Sequence, residues 1–135
     1  MDSADPPPWT PSTREDPAWD EDFLYHLSRG SDLLVGDRVV EAKEELERAL
    51  AHRPEDARSQ DLLAGVYFRL GVYPRAIEIW SRLVRVHPDD VTLRVNLGLA
   101  LLKTGQPEDA LAHLECALEK EPDHARAWGY VGIVQ

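Results

Sequence analysis

Residues Val91–His124 carry the pattern that decides the fold, and they read VTLRVNLGLALLKTGQPEDALAHLECALEKEPDH. Small and apolar residues recur at helical spacing in two groups, with Leu97, Gly98 and Leu101 in the first and Ala110, Leu114 and Ala117 in the second. Gly105 and Pro107 interrupt the chain between the groups, and Pro122 ends the second one, because a proline cannot continue a helix. The stretch therefore predicts two short amphipathic helices joined by a tight turn.

The same order of features returns on both sides of this stretch at an offset of 34 residues. Small residues align with small ones, prolines with prolines and bulky residues with bulky ones: Ala42, Ala76 and Ala110; Gly30, Ala64, Gly98 and Gly132; Pro54, Pro88 and Pro122; Leu46, Trp80 and Leu114. A helix pair of this size cannot bury its apolar face alone, so successive units are expected to stack on one another.

A 34-residue period of helix–turn–helix units closed by a proline resembles the tetratricopeptide repeat (TPR) family. The resemblance implies an all-α fold, an α-solenoid of antiparallel helix pairs with three units and a C-terminal helix. The predicted TPR domain spans residues 23–135, with units at 23–56, 57–90 and 91–124 and a partial unit at 125–135. Residues 1–22 hold five prolines and seven acids, and we expect them to form a disordered acidic tail.

The first unit departs from the pattern at two positions. Arg29 stands where Leu63 and Leu97 stand in the later units, and Gly36 comes one residue before the place of the turn glycine. We therefore expect the first helix pair to be the least regular one.

Composition excludes several classes of function. The chain has 135 residues and a net charge of −10, so its surface would repel nucleic-acid phosphates and anionic lipid headgroups. Neither a nucleic acid nor a membrane is expected as a partner. A single cysteine, Cys116, leaves no intrachain disulfide to form, and a reducing cytoplasm is the expected compartment.

No catalytic or cofactor-binding motif accompanies the repeats. His113 and Cys116 lie three residues apart on one predicted helix, but two ligands do not make a zinc site. Phosphate-binding glycine loops, HExxH and GxSxG are all absent from the sequence. We therefore predict a protein that is not an enzyme and that has no metal or cofactor.

The resemblance also implies where a partner would bind. In TPR proteins the first helices of successive units line a concave groove that binds peptides. Carried onto this chain, the predicted lining is Leu27, Leu34, Arg58, Asp61, Phe68, Arg69, Val95, Leu99, Leu102, Lys103 and Arg126. Its middle is apolar and its charges are mostly basic, which favours an acidic, amphipathic protein or peptide segment.

One functional subtype of the family is disfavoured. Chaperone-binding members clamp a terminal carboxylate with Lys and Asn at set places on the first helices. Those places hold Leu27 and Ser31 in the first unit and Asp61 and Gly65 in the second, and Asn96 alone matches.

The favoured hypothesis is a non-enzymatic scaffold or adaptor that binds a partner segment in this groove. The alternative is an assembly module that self-associates through its open C-terminal helix or docks its N-terminal tail, in which Trp9 and Trp19 stand out. Because the fourth unit lacks a second helix, the sequence is also expected to be part of a longer repeat protein.

Overall fold

The computed structural model describes residues 17–134, with side chains from Asp20 onward, and this part of the chain is made of helices without any strand. The seven helices are α1 (Pro17–Val35), α2 (Val39–His52), α3 (Ala57–Arg69), α4 (Tyr73–Val86), α5 (Val91–Lys103), α6 (Pro107–Lys120) and α7 (Ala125–Val134). Each helix packs against the next one along the chain. The predicted all-α fold is confirmed.

The helices repeat with the period found in the sequence. The first helices of the second to fourth units begin at Ala57, Val91 and Ala125, which are 34 residues apart. The side chain before each of them accepts a hydrogen bond from a backbone N–H of the first turn, which satisfies one of the free amides there. The three acceptors are Asp56 for Ser59 N (2.9 Å), Asp90 for Leu93 N (3.0 Å) and His124 for Ala127 N (3.2 Å).

A second repeated contact ties each of these helices to the preceding loop. A side-chain N–H in the first turn donates to the carbonyl oxygen of the proline that closes the unit before. The pairs are Gln60 with Pro54 (2.6 Å), Arg94 with Pro88 (2.8 Å) and Trp128 with Pro122 (2.6 Å). Three different groups, an amide, a guanidinium and an indole, thus make the same hydrogen bond at one repeat position.

Helix α1 begins at Pro17, six residues before the predicted start of the first unit. The prediction of a disordered tail over residues 1–22 is therefore wrong for residues 17–22. Asp20 pairs with Arg53 in the turn after α2, and the Arg53 guanidinium lies 4.7 Å from the centre of the Phe23 ring. These contacts hold the start of α1 against the second helix. Residues 1–16, with Trp9, lie outside the described residues, as does the side chain of Trp19.

The turn inside each unit contains one residue in the left-handed conformation, and in the first unit this residue is not the early glycine, Gly36. Gly71 and Gly105 have φ angles of 79° and 75°, and the equivalent residue of the first unit is Asp37, at 61°. The residue after each of them donates its N–H to a carbonyl oxygen five residues back: Arg38 to Leu33, Val72 to Tyr67 and Gln106 to Leu101. This is a common way to end a helix, and it requires a left-handed residue. In the first unit an aspartate therefore takes the conformation that glycine adopts more easily.

Close contact between the two helices of a unit forms the core. Gly30 faces Leu46 and Gly98 faces Leu114, so near that a methyl group on either glycine would lie 2.9 Å from the leucine Cγ. The alanines that lead the second helices, Ala42, Ala76 and Ala110, are fully buried. Small residues on both helices thus allow the backbones to approach and the bulky residue to fill the gap.

The first unit replaces part of this apolar packing with a polar cluster. Glu45 is buried, and its carboxylate lies 2.7 Å from His26 Nδ1, 3.3 Å from Arg48 Nη1 and 3.9 Å from Arg29 Nε. Burial raises the pKa of Glu45, but the hydrogen bonds and charges of His26 and Arg48 outweigh it, so the pKa lies below its usual value of 4.5. Arg29 therefore stands in place of a core leucine as a partner of Glu45.

Candidate partner-binding site

Side chains from α3, α4, α5 and α7 surround an open pocket of about 400 Å³ in the middle of the array. Its lining is Gly65, Phe68, Arg69, Trp80, Asn96, Leu99 and Arg126. Four of the residues predicted to line the groove therefore lie together: Phe68, Arg69, Leu99 and Arg126. We call it the central pocket, and it spans the second, third and fourth units.

Aromatic packing builds one wall of the central pocket. The Phe68 ring lies 5.1 Å from the Tyr73 ring and 6.1 Å from the Trp80 ring, measured between ring centres. Trp80 is buried, and its indole N–H donates to Asp61 Oδ1 at 2.8 Å. The predicted groove residue Asp61 thus orients Trp80, because a buried indole N–H needs an acceptor.

Two arginines supply the charge of the central pocket. Arg126 Nη2 donates to Asn96 Oδ1 at 3.3 Å, and its guanidinium lies 5.8 Å from the centre of the Tyr130 ring. Arg69 is exposed; it donates to the Leu34 carbonyl oxygen at 3.4 Å. No carboxylate is among the lining residues, so the lining itself has an apolar wall and two arginines. The aspartates nearby are Asp37, whose Oδ1 lies 4.0 Å from Arg69 Nη1, and Asp61 behind Trp80.

Arg58 and Asp61 belong to a different depression, of about 290 Å³. Its other lining residues are Ala57, Leu83, His87, Asp90 and Leu93. It carries both signs of charge, since Arg58 stands beside two aspartates. The predicted lining is therefore divided between two pockets.

The other predicted lining residues have more varied surroundings. Leu27, Leu34 and Leu102 are half-buried and pack against the core, and Lys103 is exposed at the end of α5. Val95 is fully buried in a cluster with Val91, Leu114, Ala117, Ala127 and Val131. Its predicted place on the groove surface is wrong, because the stacking of α5, α6 and α7 covers it.

Trp80 was not among the predicted lining residues, because it lies on a second helix. The sequence held a signal for it: Trp80 stands where the other units have Leu46 and Leu114. An indole is larger than a leucine side chain, so it fills the gap between the helices of its unit and also reaches Phe68 at the pocket wall.

His113 and Cys116 do not form part of a metal site within residues 20–134, where no group of three or more His, Cys, Asp or Glu side chains could hold a metal ion. His113 Nδ1 instead lies 3.0 Å from Arg94 Nη1. Burial and the Arg94 charge lower the pKa of His113 from its usual value of 6.5. In the same part of the chain, none of the helices has the length and apolar character needed to cross a membrane.

Solved structures of TPR domains share this architecture. The Arabidopsis OM64 TPR domain matches with a TM-score of 0.79 at 16% identity, over 86% of this chain and 96% of that one. The first TPR of Spaghetti (RPAP3), bound to an HSP90 peptide, gives 0.78 at 19% identity, over 84% and 90%. YrrB, described as a TPR protein with an unusual peptide-binding site, gives 0.78 at 25% identity, over 85% and 60%. The predicted α-solenoid is confirmed.

A curated relative and two family models agree with these structures. Cellulose synthase operon protein C of Pseudomonas fluorescens is 30% identical over 100 residues, which are 74% of this chain and 8% of that protein. This chain thus spans a small part of the relative's length. Two family models, both described as tetratricopeptide repeat, match residues 27–90 and 63–128, and the chain belongs to the tetratricopeptide repeat family.

Proposed function

We propose that this protein is a non-enzymatic scaffold that binds an acidic, amphipathic segment of a partner protein in the central pocket. The observation that carries the proposal is the combination there of an aromatic wall with two arginines and no carboxylate. In this proposal the protein is a cytoplasmic adaptor, and its net charge of −10 keeps it from nucleic acids and anionic membranes.

The chemistry of the central pocket indicates how such a segment would be held. Phe68 and Leu99 offer apolar surface, and an apolar side chain of the partner would be removed from water against them. Arg69 and Arg126 would pair with carboxylates of the same segment. A guanidinium suits this role because it binds a carboxylate through two parallel hydrogen bonds.

Relatives that bind peptides support a protein or peptide ligand. The Spaghetti (RPAP3) structure contains an HSP90 peptide, and YrrB is described as having a peptide-binding site. In this chain Asp61 accepts a hydrogen bond from Trp80 and Asn96 accepts one from Arg126. We therefore propose recognition of acidic side chains by Arg69 and Arg126, and no clamp on a terminal carboxylate.

The test compares charge-reversed variants that differ only in where the charge lies. We expect an acidic peptide of alternating leucine and glutamate to bind the wild type, and its lysine counterpart not to bind. Arg69→Glu with Arg126→Glu should weaken binding by about tenfold or more, since two charge-assisted contacts are lost. The control Arg82→Glu with Arg85→Glu reverses two exposed charges on α4 outside the central pocket and should leave affinity unchanged.

Binding is measured by fluorescence anisotropy of the labelled peptide at low and high salt. Affinity should fall as salt rises, because exposed charge pairs are screened. Equal loss of affinity in the control with Arg82→Glu and Arg85→Glu would show that net charge, and not the pocket, governs binding. Once the pocket passes this test, capture from lysate with the same variants would identify the partner.

A further inference from the structure

The sequence that precedes α1, residues 1–16, has a chemistry complementary to that of the central pocket. This N-terminal segment contains four acids and one arginine, and its first nine residues, MDSADPPPW, hold two of those acids, no base and a tryptophan. The pocket has an aromatic wall and two arginines, and no carboxylate is among its lining residues. The chain therefore carries its own example of an acidic segment with a large apolar side chain.

Both arginines of the central pocket can still bind a carboxylate. Arg126 Nη2 donates at 3.3 Å to the neutral side chain of Asn96, and Arg69 Nη1 donates at 3.4 Å to the Leu34 carbonyl oxygen. Among the described residues, the carboxylate that pairs with Arg69 is the exposed Asp37, at 4.0 Å, and none pairs with Arg126. Neither guanidinium makes the two parallel hydrogen bonds that it can donate to a carboxylate.

The N-terminal segment is long enough to reach the pocket. It joins α1 at Pro17, and the Arg69 edge of the pocket lies near the other end of that helix, beside Leu34. Pro17 and Leu34 are 17 residues apart, which is about 25 Å along a helix. Trp9 precedes Pro17 by eight residues, which span about 25 Å at roughly 3.1 Å per residue. A segment that runs back beside α1 thus brings Trp9 level with the pocket.

A nearer apolar surface on α1 fits the N-terminal segment less well. Leu24 and Tyr25 are 59% and 60% exposed, but the charged side chains one turn before them are Glu21 and Asp22. These two acids would repel the acids of the segment, whereas the arginines of the central pocket would attract them. Charge therefore favours the central pocket.

We propose that the N-terminal segment docks in the central pocket of its own chain. Trp9 packs against Phe68 and Leu99, and the two aspartates before Trp9 pair with the arginines. Because proline has a fixed φ, the three prolines before Trp9 reduce the conformational entropy that docking costs. The covalent link gives the segment an effective concentration on the order of millimolar, so weak contacts are enough to fill the pocket. This docking rests on the pocket chemistry of the proposed function, and it adds that a partner must displace the chain's own segment.

Paramagnetic broadening in NMR spectra of the full chain tests the docking directly. A nitroxide is attached at Ser3→Cys in a Cys116→Ser background, so that the chain has one labelled thiol. The backbone amide signals of Gly65 and Leu99, which line the central pocket, should broaden.

Variants of the N-terminal segment show which side chains hold it. Trp9→Ala should remove most of the broadening, and so should Asp2→Asn with Asp5→Asn. The matched control, Glu15→Gln with Asp16→Asn, also removes two charges from the segment, but at the end that is tied to α1. It should leave the broadening unchanged.

Competition gives an independent measurement. The anisotropy titration described above is repeated with the peptide of alternating leucine and glutamate. Occupation of the pocket by the segment lowers the apparent affinity by the fraction of chains that remain open. We therefore expect Trp9→Ala to bind this peptide about three- to tenfold more tightly than the wild type, and Glu15→Gln with Asp16→Asn to bind it as the wild type does.

Sharp signals at Gly65 and Leu99 would overturn the proposal, as would broadening centred on Tyr25. Equal broadening in a mixture of labelled chain and isotope-enriched unlabelled chain would assign the contact to a second copy and overturn it as well. Unchanged peptide affinity in Trp9→Ala would show that the segment does not compete. If instead no variant binds the acidic peptide while the pocket signals broaden, the proposed function fails and the docking stands.

Discussion

Because Gly98 contacts Leu114, we expect its replacement by alanine to change the free energy of unfolding in the opposite direction to the usual replacement of a helical glycine. Replacing a glycine inside a helix with alanine stabilises the folded state by about 0.5–1 kcal/mol, because the unfolded chain loses freedom. At Gly98 the new methyl group would lie 2.9 Å from Leu114 Cγ and Cδ2, and Leu114 is fully buried. Overpacking of this kind costs about 1–3 kcal/mol. The difference between these two effects is about 0–2.5 kcal/mol, so we expect Gly98→Ala to lower the free energy of unfolding by about 1 kcal/mol.

Gly65 provides the matched control, since it also lies inside a helix and has nothing within 4 Å of an added methyl group. Gly65→Ala should raise the free energy of unfolding by about 0.5–1 kcal/mol. Because the backbone effect is the same at both sites, the difference between the two variants measures the overpacking at Gly98.

Urea unfolding followed by circular dichroism measures both variants. With a slope of about 1–3 kcal/mol per molar urea for a small protein, the two midpoints should move in opposite directions by several tenths of a molar or more. In a Leu114→Ala background the same Gly98→Ala step should become neutral or stabilising, because the leucine that it crowds is gone. If Gly98→Ala stabilised the wild type as much as Gly65→Ala does, the close packing of α5 on α6 described above would be refuted.

Three further predictions concern a turn, a helix cap and a half-buried histidine. Asp37→Gly should stabilise the fold by about 0.5–1 kcal/mol in urea unfolding, since a φ of 61° is more easily adopted by glycine; no gain would mean that Asp37 is not strained. His124→Asp should slow amide hydrogen exchange in the first turn of α7, because a carboxylate accepts from Ala127 N and also favours the positive end of the helix; unchanged exchange would contradict the role of the cap. For His113 the folded-state pKa is lowered, so the unfolded chain binds the proton more tightly and stability should fall as pH drops below 6.5. His113→Gln should flatten that part of the stability curve, and an identical slope in the variant would assign it to other groups.

Much of the fold could be predicted from the 34-residue period, because helix starts and the alternation of small and bulky residues are local properties of the sequence. The start of α1 could not be predicted in this way. Acids and prolines before Phe23 indicated a tail, yet Pro17 is compatible with the first turn of a helix, and Asp20 gains a partner in Arg53, which is distant in sequence. The composition of a segment carries no information about an ion pair with a residue 33 positions away.

The central pocket was predicted only in part, for a related reason. Helix α5 is apolar on several faces, so the periodicity of its sequence does not distinguish residues that line the groove from residues covered by stacking. Leu99 is half-buried beside the groove, whereas Val95 is fully buried under α6 and α7. The hydrogen bond between Asp61 and Trp80 joins two helices and depends on their packing, which the sequence pattern of either helix does not specify.

The contacts to the proline carbonyls bear on how such repeats diverge. Gln60, Arg94 and Trp128 are chemically unrelated, but each brings one N–H to the same carbonyl position. The units share a side-chain N–H donor at this position but not a residue type. An alignment scored by residue identity therefore shows no similarity there. A substitution at this position can therefore alter charge, size or aromatic surface while the hydrogen bond to the loop carbonyl oxygen remains. In the fourth unit the donor at this position is the indole of Trp128, which is 54% exposed while its N–H donates to the Pro122 carbonyl oxygen.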